Sequence, residues 1–374
     1  MSTTRELLQA IDAIAPLRHA ASWDNVGLLV GRSEAACDHA LLCIDLTPGV
    51  LHEARTLGAK VIIAYHPVLF EARKNVSDSD PAGALLLELI ESGIAVISPH
   101  TALDAAPGGM TQWLACAMGE GNVQPLQTAE DVRPSEAYKL VTYVPRDKVE
   151  EVRDAMTKAG AGHVGNYDMC TVAIESTGTF RGGEGASPTV GDQGQLESID
   201  ECTLMVPCSQ EVLPGAIAAL HRAHPYEEPP VHIIPLAPRP LHDTGSGRLL
   251  TLSEPADIDT IAQRLREHLG VESLRMVRSG DEPHTIIGCC PGAGGSMMGD
   301  ASAHGATLFV TGEMRHHDLL NAKASGVSVL LAGHTNTERG YLPVFQERLK
   351  PLLGKMVLTV SQADDCPWVE SRSV

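Results

Sequence analysis

Short apolar runs alternate with segments of helical periodicity in the first and last thirds of the chain. The continuous apolar runs at 61–64, 95–97 and 327–332 are typical of strands buried inside a parallel sheet. Apolar residues at helical spacing follow or precede these runs, and they predict helices at 48–58, 81–93, 110–118, 258–269, 315–324 and 341–349. Strands that alternate with helices predict an α/β class with a layered, mostly parallel sheet.

The middle of the chain carries a different pattern, which occurs twice. A strand at 138–145 ends in Val-Pro and precedes a helix at 147–159, and a strand at 202–207 ends in the same pair and precedes a helix at 210–223. Each helix leads to another strand-like run, near 170–175 and 231–235. Two βαβ units in tandem predict a small ferredoxin-like α+β domain, in which the Gly-rich stretch 178–194 forms a long loop.

Two polar segments that contain proline and glycine flank this repeated pattern. Residues 119–136 and 237–247 have the composition of linkers. We therefore expect one discontinuous outer domain, built from 1–125 and 245–374, with a second domain at 136–237 inserted into it.

Composition and charge narrow the classes of partner. The 374 residues include 43% hydrophobic residues, which is ordinary for a globular protein. The formal net charge is -19, from 47 acidic and 28 basic residues, and aromatic residues make up 3%. This balance argues against nucleic acid or an anionic membrane as a partner.

The cysteines and the absence of long apolar segments favour a cytoplasmic protein. Nine cysteines are scattered along the chain without a CxxC pair, as expected of reduced thiols. No run approaches the ~20 apolar residues of a membrane span.

Histidines and carboxylates follow several of the predicted buried strands. In parallel sheets, functional groups gather beyond the carboxyl ends of strands. The residues at these ends are His66, His100, Asp104 and His334. Glu338 lies four residues after His334, so one helical turn places both side chains on one face, where they can hold a zinc, iron or manganese ion. The structural alternative is an exposed pair on a solvated helix face.

The other candidates also have structural alternatives. A single histidine at a strand end is commonly a buried, hydrogen-bonded structural residue, and Asp104 would serve as an N-cap or turn acid. His316 and His317 suit either a solvated helix start or a functional role. His224 precedes Pro225, which indicates a helix stop or a segment that reaches over the outer domain's pocket. The Gly-rich loops lack the lysine of a P-loop, and no GxSxG motif is present.

Four motifs occur in an order that resembles a known family. They are SWDNVGL at 22–28, YHP at 65–67, HTALD at 100–104 and GHTNTERG at 333–340. Together they resemble the NIF-three-like family, often labelled GTP cyclohydrolase I type 2 homologues, over nearly the whole chain. The middle segment, with HPYEE at 224–228, resembles the PII-like (CutA-like) insert of the longer bacterial members. The resemblance implies a centre of two divalent metal ions and a homo-hexameric ring in the cytoplasm.

The resemblance also assigns residues. It implies His66, Asp104, His334 and Glu338 as metal ligands, with the carboxylates shared between two ions. Tyr65 stands where many members have a histidine, so a phenol that is protonated near neutral pH replaces a neutral nitrogen ligand. We assign His100 to proton transfer or to orienting a ligand.

Two classes of function fit these features. The first is a metal-dependent hydrolase that acts on a small molecule, such as GTP, another nucleotide or a phosphoester. The second is a non-catalytic metal-binding or regulatory ring whose inserted domain senses a small molecule.

Overall fold

A computed structural model describes residues 2–132 and 134–368 of the chain. The described residues fall into two compact units. The larger unit takes in Met1–Ala129 and Leu241–Val374, and the smaller unit is Glu130–Pro240. The larger unit carries the predicted metal ligands.

The predicted helices are present among the described residues, and the structure adds short helices at 100–105 and 298–303 that were not predicted. Within this part of the chain, none of them combines the length and hydrophobicity needed to cross a bilayer. In chain order the helices are α1 (Thr4–Ile14), α2 (Pro48–Leu57), α3 (Pro81–Ser92), α4 (His100–Ala105), α5 (Met110–Cys116), α6 (Val149–Lys158), α7 (Leu213–Ala223), α8 (Ile258–Leu269), α9 (Met298–Ala303), α10 (His316–Ala324), α11 (Asn336–Arg339) and α12 (Leu342–Leu353).

The strands form three sheets. In chain order the strands are β1 (Gly27–Val30), β2 (His39–Cys43), β3 (Val61–Ala64), β4 (Ala95–Ser98), β5 (Gly121–Asp131), β6 (Tyr138–Pro145), β7 (Val172–Phe180), β8 (Glu197–Cys208), β9 (Val231–Pro235), β10 (Arg239–Ala256), β11 (Arg275–Val277), β12 (His284–Cys290), β13 (Leu308–Thr311), β14 (Ser328–Leu331) and β15 (Val357–Val360). The protein is therefore a mixed α/β protein with several sheets.

Helix α2 shows why the helices form where the sequence predicts them. The Thr47 side chain accepts a hydrogen bond from the backbone N–H of Val50, and Pro48 occupies the first turn. Gly58 ends the helix at φ 71°, a conformation that glycine adopts without steric cost. The buried face of α2 packs on the first sheet.

The first sheet of the larger unit has the strand order β1-β4-β3-β2-β15. β4, β3, β2 and β15 pair in parallel, and β1 pairs antiparallel with β4. All four residues of β3 are buried, which accounts for its continuous apolar sequence. The loop that carries His66 begins at the carboxyl end of this strand.

The second sheet of the same unit has the order β11-β14-β13-β12-β10-β5. β12, β13 and β14 are parallel, whereas β11 pairs antiparallel with β14 and β10 pairs antiparallel with β12. The expectation of a single mostly parallel sheet is therefore corrected to two sheets with parallel centres. Apolar runs show that strands are buried, but they do not show which strands share a sheet.

The two segments predicted as linkers contain the boundaries between the two units, but most of their residues form strands rather than loops. Most of 119–136 forms β5, and 237–247 enters β10, which lies beside β5 in the second sheet. Leu126 and Leu249 of this pair are buried in one apolar cluster. Hydrophobic burial and strand pairing outweigh the turn-like composition of these segments. Neither effect can be inferred from the local residue types, so the sequence alone predicted linkers.

The smaller unit has the element order β6-α6-β7-β8-α7-β9. Its sheet has the order β7-β8-β6-β9, and every pair is antiparallel. Apolar residues of α6 and α7, among them Val152 and Leu220, pack against sheet residues such as Leu204 in one cluster. The predicted loop at 178–194 starts later than expected, because β7 extends to Phe180.

Candidate metal centre

The centre lies where β3 and β14 end. Pairing between β2 and β3 continues past the strands, because the N–H of His66 donates to the carbonyl of Ile44 at 3.0 Å. His334 follows β14, and the N–H of Gly333 donates to the carbonyl of Gly312 at 2.9 Å. Backbone hydrogen bonds at or next to both histidines therefore fix the positions of their main chains, independently of the side-chain contacts.

Glu338 reaches the same place from α11. The predicted helix at 341–349 corresponds to α12, and the shorter α11 precedes it. The N–H of Thr337 donates to the carbonyl of Gly333, so the chain makes a helical turn between His334 and Glu338. This turn places the two side chains on one face, as their spacing predicts.

His66, His334 and Glu338 offer one ligand atom each within 4.8 Å of one another. Glu338 Oε1 lies 3.4 Å from His334 Nε2 and 3.7 Å from His66 Nε2. Glu338 is only 1% exposed. The structural alternative of a solvated pair is therefore wrong for His334 and Glu338.

A carboxylate orients each histidine of this cluster. His66 Nδ1 lies 2.9 Å from Asp45 Oδ1, and His334 Nδ1 lies 3.0 Å from Glu313 Oε1. An N–H donated from Nδ1 leaves the Nε2 lone pair directed at the cluster, which is the usual arrangement of histidines that bind metals. Sequence reasoning missed both acids, although Asp45 follows a buried strand, as His66 does.

The Glu338 carboxylate tests whether these residues fit a metal ion. Its Oε2 atom is buried and has no hydrogen-bond partner among the described residues. A buried, unpartnered carboxylate oxygen costs free energy unless a cation satisfies it. Two imidazole nitrogens and one carboxylate are also a donor set that zinc, iron and manganese accept. The residues therefore fit a divalent cation.

The pKa of His66 shows that this place favours positive charge. Burial lowers the pKa, but the interactions with Asp45 and Glu338 outweigh it and raise the pKa to about 10. A proton on His66 and a metal ion in the cluster would satisfy the same carboxylates, so the two compete.

Asp104 lies apart from the three-residue cluster and is held by Tyr65. The Tyr65 hydroxyl lies 2.9 Å from each oxygen of the Asp104 carboxyl group. Burial is the largest influence on Asp104 and raises its pKa to about 6. Burial also raises the pKa of Tyr65, so the phenol stays protonated and donates a hydrogen bond to Asp104. The structural alternative of an N-cap is wrong, because Asp104 lies within α4 and Gly109 precedes α5.

His100 faces the same region with a partner of its own. Its Nδ1 lies 2.8 Å from Asp24 Oδ1, and its ring centroid lies 5.4 Å from that of His66. Burial raises the pKa of Asp24, but hydrogen bonds from His100 and Thr101 outweigh it and lower that pKa. Asp24 thus stays ionised and directs His100 Nε2 away from itself. The sequence places Asp24 in the SWDNVGL motif, but reasoning from the sequence assigned it no role.

A cavity of about 820 Å³ opens onto these groups. Its lining includes the three clustered residues, Tyr65, His100 and Asp104, and none of the lining residues described is a lysine or arginine. Arg315 and Arg339 lie near the ligands in sequence, but they pair with Asp318 and Asp364. No lysine or arginine of the described lining is therefore available to hold a triphosphate.

The remaining predicted histidines lie elsewhere. His224 is buried in the smaller unit, where Nε2 donates to the Tyr143 carbonyl and Nδ1 accepts from the Tyr226 N–H. These bonds give it a structural role within that unit. His316 and His317 are exposed at the start of α10.

Gly292 provides the first mutational test of the centre. A Cβ atom at this position would lie 2.7 Å from Glu338 Oε1 and 3.0 Å from His334 Nε2. Gly292→Ala is therefore expected to displace the ligands and lower metal affinity at least tenfold, as measured by calorimetric titration with zinc. Gly299→Ala is the matched control, because a Cβ there meets no neighbour within 4 Å. Equal affinity in the two variants would contradict the placement of the cluster.

Asp45 provides a second test. Asp45→Asn keeps the size of the side chain but removes the charge that orients His66, so we expect metal affinity to fall by about 10–100-fold. Competition with a chromophoric chelator measures this change. The exposed Asp38→Asn is the control and is expected to bind metal as the wild type does. Unchanged affinity in Asp45→Asn would contradict the role of Asp45 in orienting His66.

The fold and the cluster define a mixed α/β protein with a candidate metal centre at the carboxyl ends of parallel strands. The model of the Duf34/NIF3 (NGG1p interacting factor 3) family matches residues 2–367. The chain belongs to this family, which confirms the resemblance drawn from the four motifs.

Relatives and solved structures agree with this membership. A Halalkalibacterium halodurans protein named "GTP cyclohydrolase 1 type 2 homolog" is 31% identical over 349 residues, which cover 93% of this chain and 92% of the relative. A Bacillus subtilis protein of the same name is 32% identical over 333 residues, which cover 88% and 87%. The crystal structure of a Bacillus cereus protein related to NIF3 is 31% identical, covers 99% of both chains and has a TM-score of 0.74.

Proposed function

We propose that this protein is a metal-dependent hydrolase. The observation that carries the proposal is the buried Glu338 carboxylate, which lies between two oriented histidines, has an unpartnered oxygen and faces a cavity large enough for a small-molecule substrate. A cluster with no catalytic or binding role would leave that oxygen unsatisfied at a cost in stability.

His66, His334 and Glu338 would hold one divalent ion. Asp104, to which Tyr65 is hydrogen-bonded, would help to hold a second ion at the same cavity. When bound, zinc, iron or manganese would supply Lewis acidity to a phosphoryl or carbonyl oxygen and activate water. The dinuclear arrangement rests on the placement of two carboxylates, the buried Glu338 and the half-buried Asp104, on the same cavity.

The residues around these ligands have separate roles. Asp45 and Glu313 hold the two histidines in one orientation. His100 faces the cavity with Nε2 while Asp24 holds Nδ1, so it is placed to take up or deliver a proton at the substrate. The Tyr65 hydroxyl donates to Asp104 and keeps its carboxyl group in place.

The charged residues of the cavity wall narrow the class of substrate. The names of the relatives support a nucleotide such as GTP. However, no lysine or arginine is among the described residues of the cavity wall, so a phosphate group would have to be bound through the metal centre. We therefore infer that a phosphoester or nucleotide with a single metal-bound phosphate suits the cavity better than a triphosphate held by side chains.

Turnover tests this proposal. Metal-loaded wild type is assayed with GTP, GMP and bis(p-nitrophenyl) phosphate, beside the His100→Asn variant. We expect hydrolysis of at least one substrate, with kcat reduced by about 10²–10⁴-fold in His100→Asn and metal content unchanged. Tight metal retention without turnover of any substrate would instead favour the non-catalytic metal-binding ring.

We further propose the assembly and location that the resemblance implies. The βαββαβ order and antiparallel strand order of the smaller unit support a ferredoxin-like, PII/CutA-like domain. The nine cysteines form no disulfide, which supports a reducing compartment such as the cytoplasm. A homo-hexameric ring is proposed from family membership, and light scattering after gel filtration would measure it.

A further inference from the structure

The smaller unit contains a cavity of its own, of about 490 Å³. Every residue of its described lining lies between Tyr143 and Pro230, so the cavity belongs to this unit alone. We propose that it binds a small organic cation, with an amine, amidine or guanidine head group and an apolar body. This site is separate from the metal centre and does not depend on the proposed hydrolysis.

The buried Glu201 carboxylate carries the proposal. Glu201 lies on β8, lines the cavity and is only 8% exposed. The Tyr226 hydroxyl donates to Oε1 at 2.6 Å, whereas Oε2 has no hydrogen-bond partner among the described residues. A structural Glu–Tyr pair needs one oxygen, so the second oxygen remains available to a donor from a ligand.

Gly178 makes room for that second oxygen. It lies on β7, beside β8, and also lines the cavity. A Cβ atom at Gly178 would lie 2.1 Å from Glu201 Oε2, so a larger residue would force the carboxylate to move. The absence of a side chain at this position therefore keeps the carboxylate in its place at the cavity wall.

The remaining lining selects an organic cation over other ligands. Tyr143, Phe180 and Val190 supply apolar and aromatic surface, on which a cation with an apolar body is stabilised. Glu227 and Glu228 add negative charge, and the described lining contains no lysine or arginine, so an anion is disfavoured. A metal ion is disfavoured as well, because no three metal-binding side chains converge in the described part of this unit.

The loop between β7 and β8 lines part of the cavity and is hydrogen-bonded to the HPYEE segment. The N–H of Ser187 donates to Glu227 Oε2 at 3.0 Å, and the Thr189 hydroxyl donates to the Pro225 carbonyl at 2.9 Å. These bonds hold the loop and the HPYEE segment together, and both line the cavity beside Glu201, so a bound ligand would contact the loop and the sheet. The HPYEE segment contributes no residue to the metal centre, and we assign it to the wall of this second site.

Calorimetric titration of the full-length protein with matched probes tests the proposal. Benzamidine and benzamide share their shape, but only benzamidine is a cation, and agmatine provides an aliphatic guanidinium. We expect the better of the two cations to bind with a Kd of about 1 mM or tighter and at least about tenfold more tightly than benzamide. Equal affinity for the cations and benzamide, or no binding of either cation, would overturn the proposal. This test needs only the wild-type protein.

Variants then locate the site. Glu201→Gln retains an acceptor for Tyr226 but removes the charge, and we expect it to weaken binding of the cation at least about tenfold. Glu184→Gln is the control for charge, because Glu184 lies in the loop between β7 and β8 of the same unit but does not line the cavity. Glu338→Gln is expected to bind the cation as the wild type does, because Glu338 lies in the larger unit and does not line this cavity. Equal loss in Glu201→Gln and Glu184→Gln would reduce the effect to general charge and overturn the site.

Discussion

Glu338→Gln is expected to abolish metal binding by the larger unit. The amide has nearly the shape of the carboxylate but no charge, and it leaves two neutral imidazoles without the anionic ligand. We expect a loss of affinity greater than the roughly 10–100-fold effect of an orienting residue such as Asp45. Elemental analysis after gel filtration measures the metal content of the purified variant and of the wild type.

Stability separates a ligand role from a structural role at this position. In the presence of a chelator, Glu338→Gln should unfold at nearly the same denaturant concentration as the wild type, because the carboxylate has an unpartnered oxygen that costs free energy when no cation is present. Glu347→Gln is the control for charge removal, since Glu347 is exposed on α12 and pairs with Lys350. Full metal content in Glu338→Gln would refute its assignment as a ligand.

Arg248→Met is expected to cause a large loss of stability in the larger unit. Arg248 is 1% exposed, and its guanidinium donates to the carbonyls of Gly245, Gly247, Ala105 and Ala106. The last two carbonyls end α4, the helix that carries Asp104. Methionine fills similar volume but leaves buried carbonyls without this donor, so we expect the free energy of unfolding to fall by about 3 kcal/mol.

Tryptophan fluorescence during urea denaturation measures this change in the larger unit alone. All three tryptophans, Trp23, Trp113 and Trp368, lie within the ranges of that unit. Arg264→Met is the matched control, because the exposed Arg264 donates to a single carbonyl, that of Met118. We expect a loss of about 1 kcal/mol for this control. Equal stability of the two variants would show that the buried hydrogen bonds of Arg248 contribute little.

The parts of the candidate centre that the sequence predicted share a local signal. His66 directly follows a buried apolar run, and His334 and Glu338 are spaced for one helical turn. The structure brings these three together. Asp45, Glu313 and Asp24 were not assigned, because each meets its histidine across a long stretch of chain. Asp24, for example, precedes His100 by 76 residues. The order of strands in the sheets brings such pairs together, and this order cannot be read from a single sequence.

The fold shows the same limit. Strands such as Val61–Ala64 and Tyr138–Pro145 were predicted at their observed bounds, because burial on both faces or a repeated pattern marks them. By contrast, Gly121–Asp131 and the first half of Arg239–Ala256 lie in the segments 119–136 and 237–247, which were predicted as linkers. Their prolines and glycines are typical of loops, and only pairing with a distant strand makes them part of a sheet.

Anomalous X-ray diffraction from crystals of the metal-loaded protein tests the central claim most directly. Data collected at the absorption edge of the bound metal locate the ion independently of any assay. We predict a peak bounded by His66 Nε2, His334 Nε2 and the Glu338 carboxylate, with a second peak beside Asp104 if both positions fill. A metal peak at other residues, with none at this cluster, would contradict the metal centre and the hydrolase proposed from it.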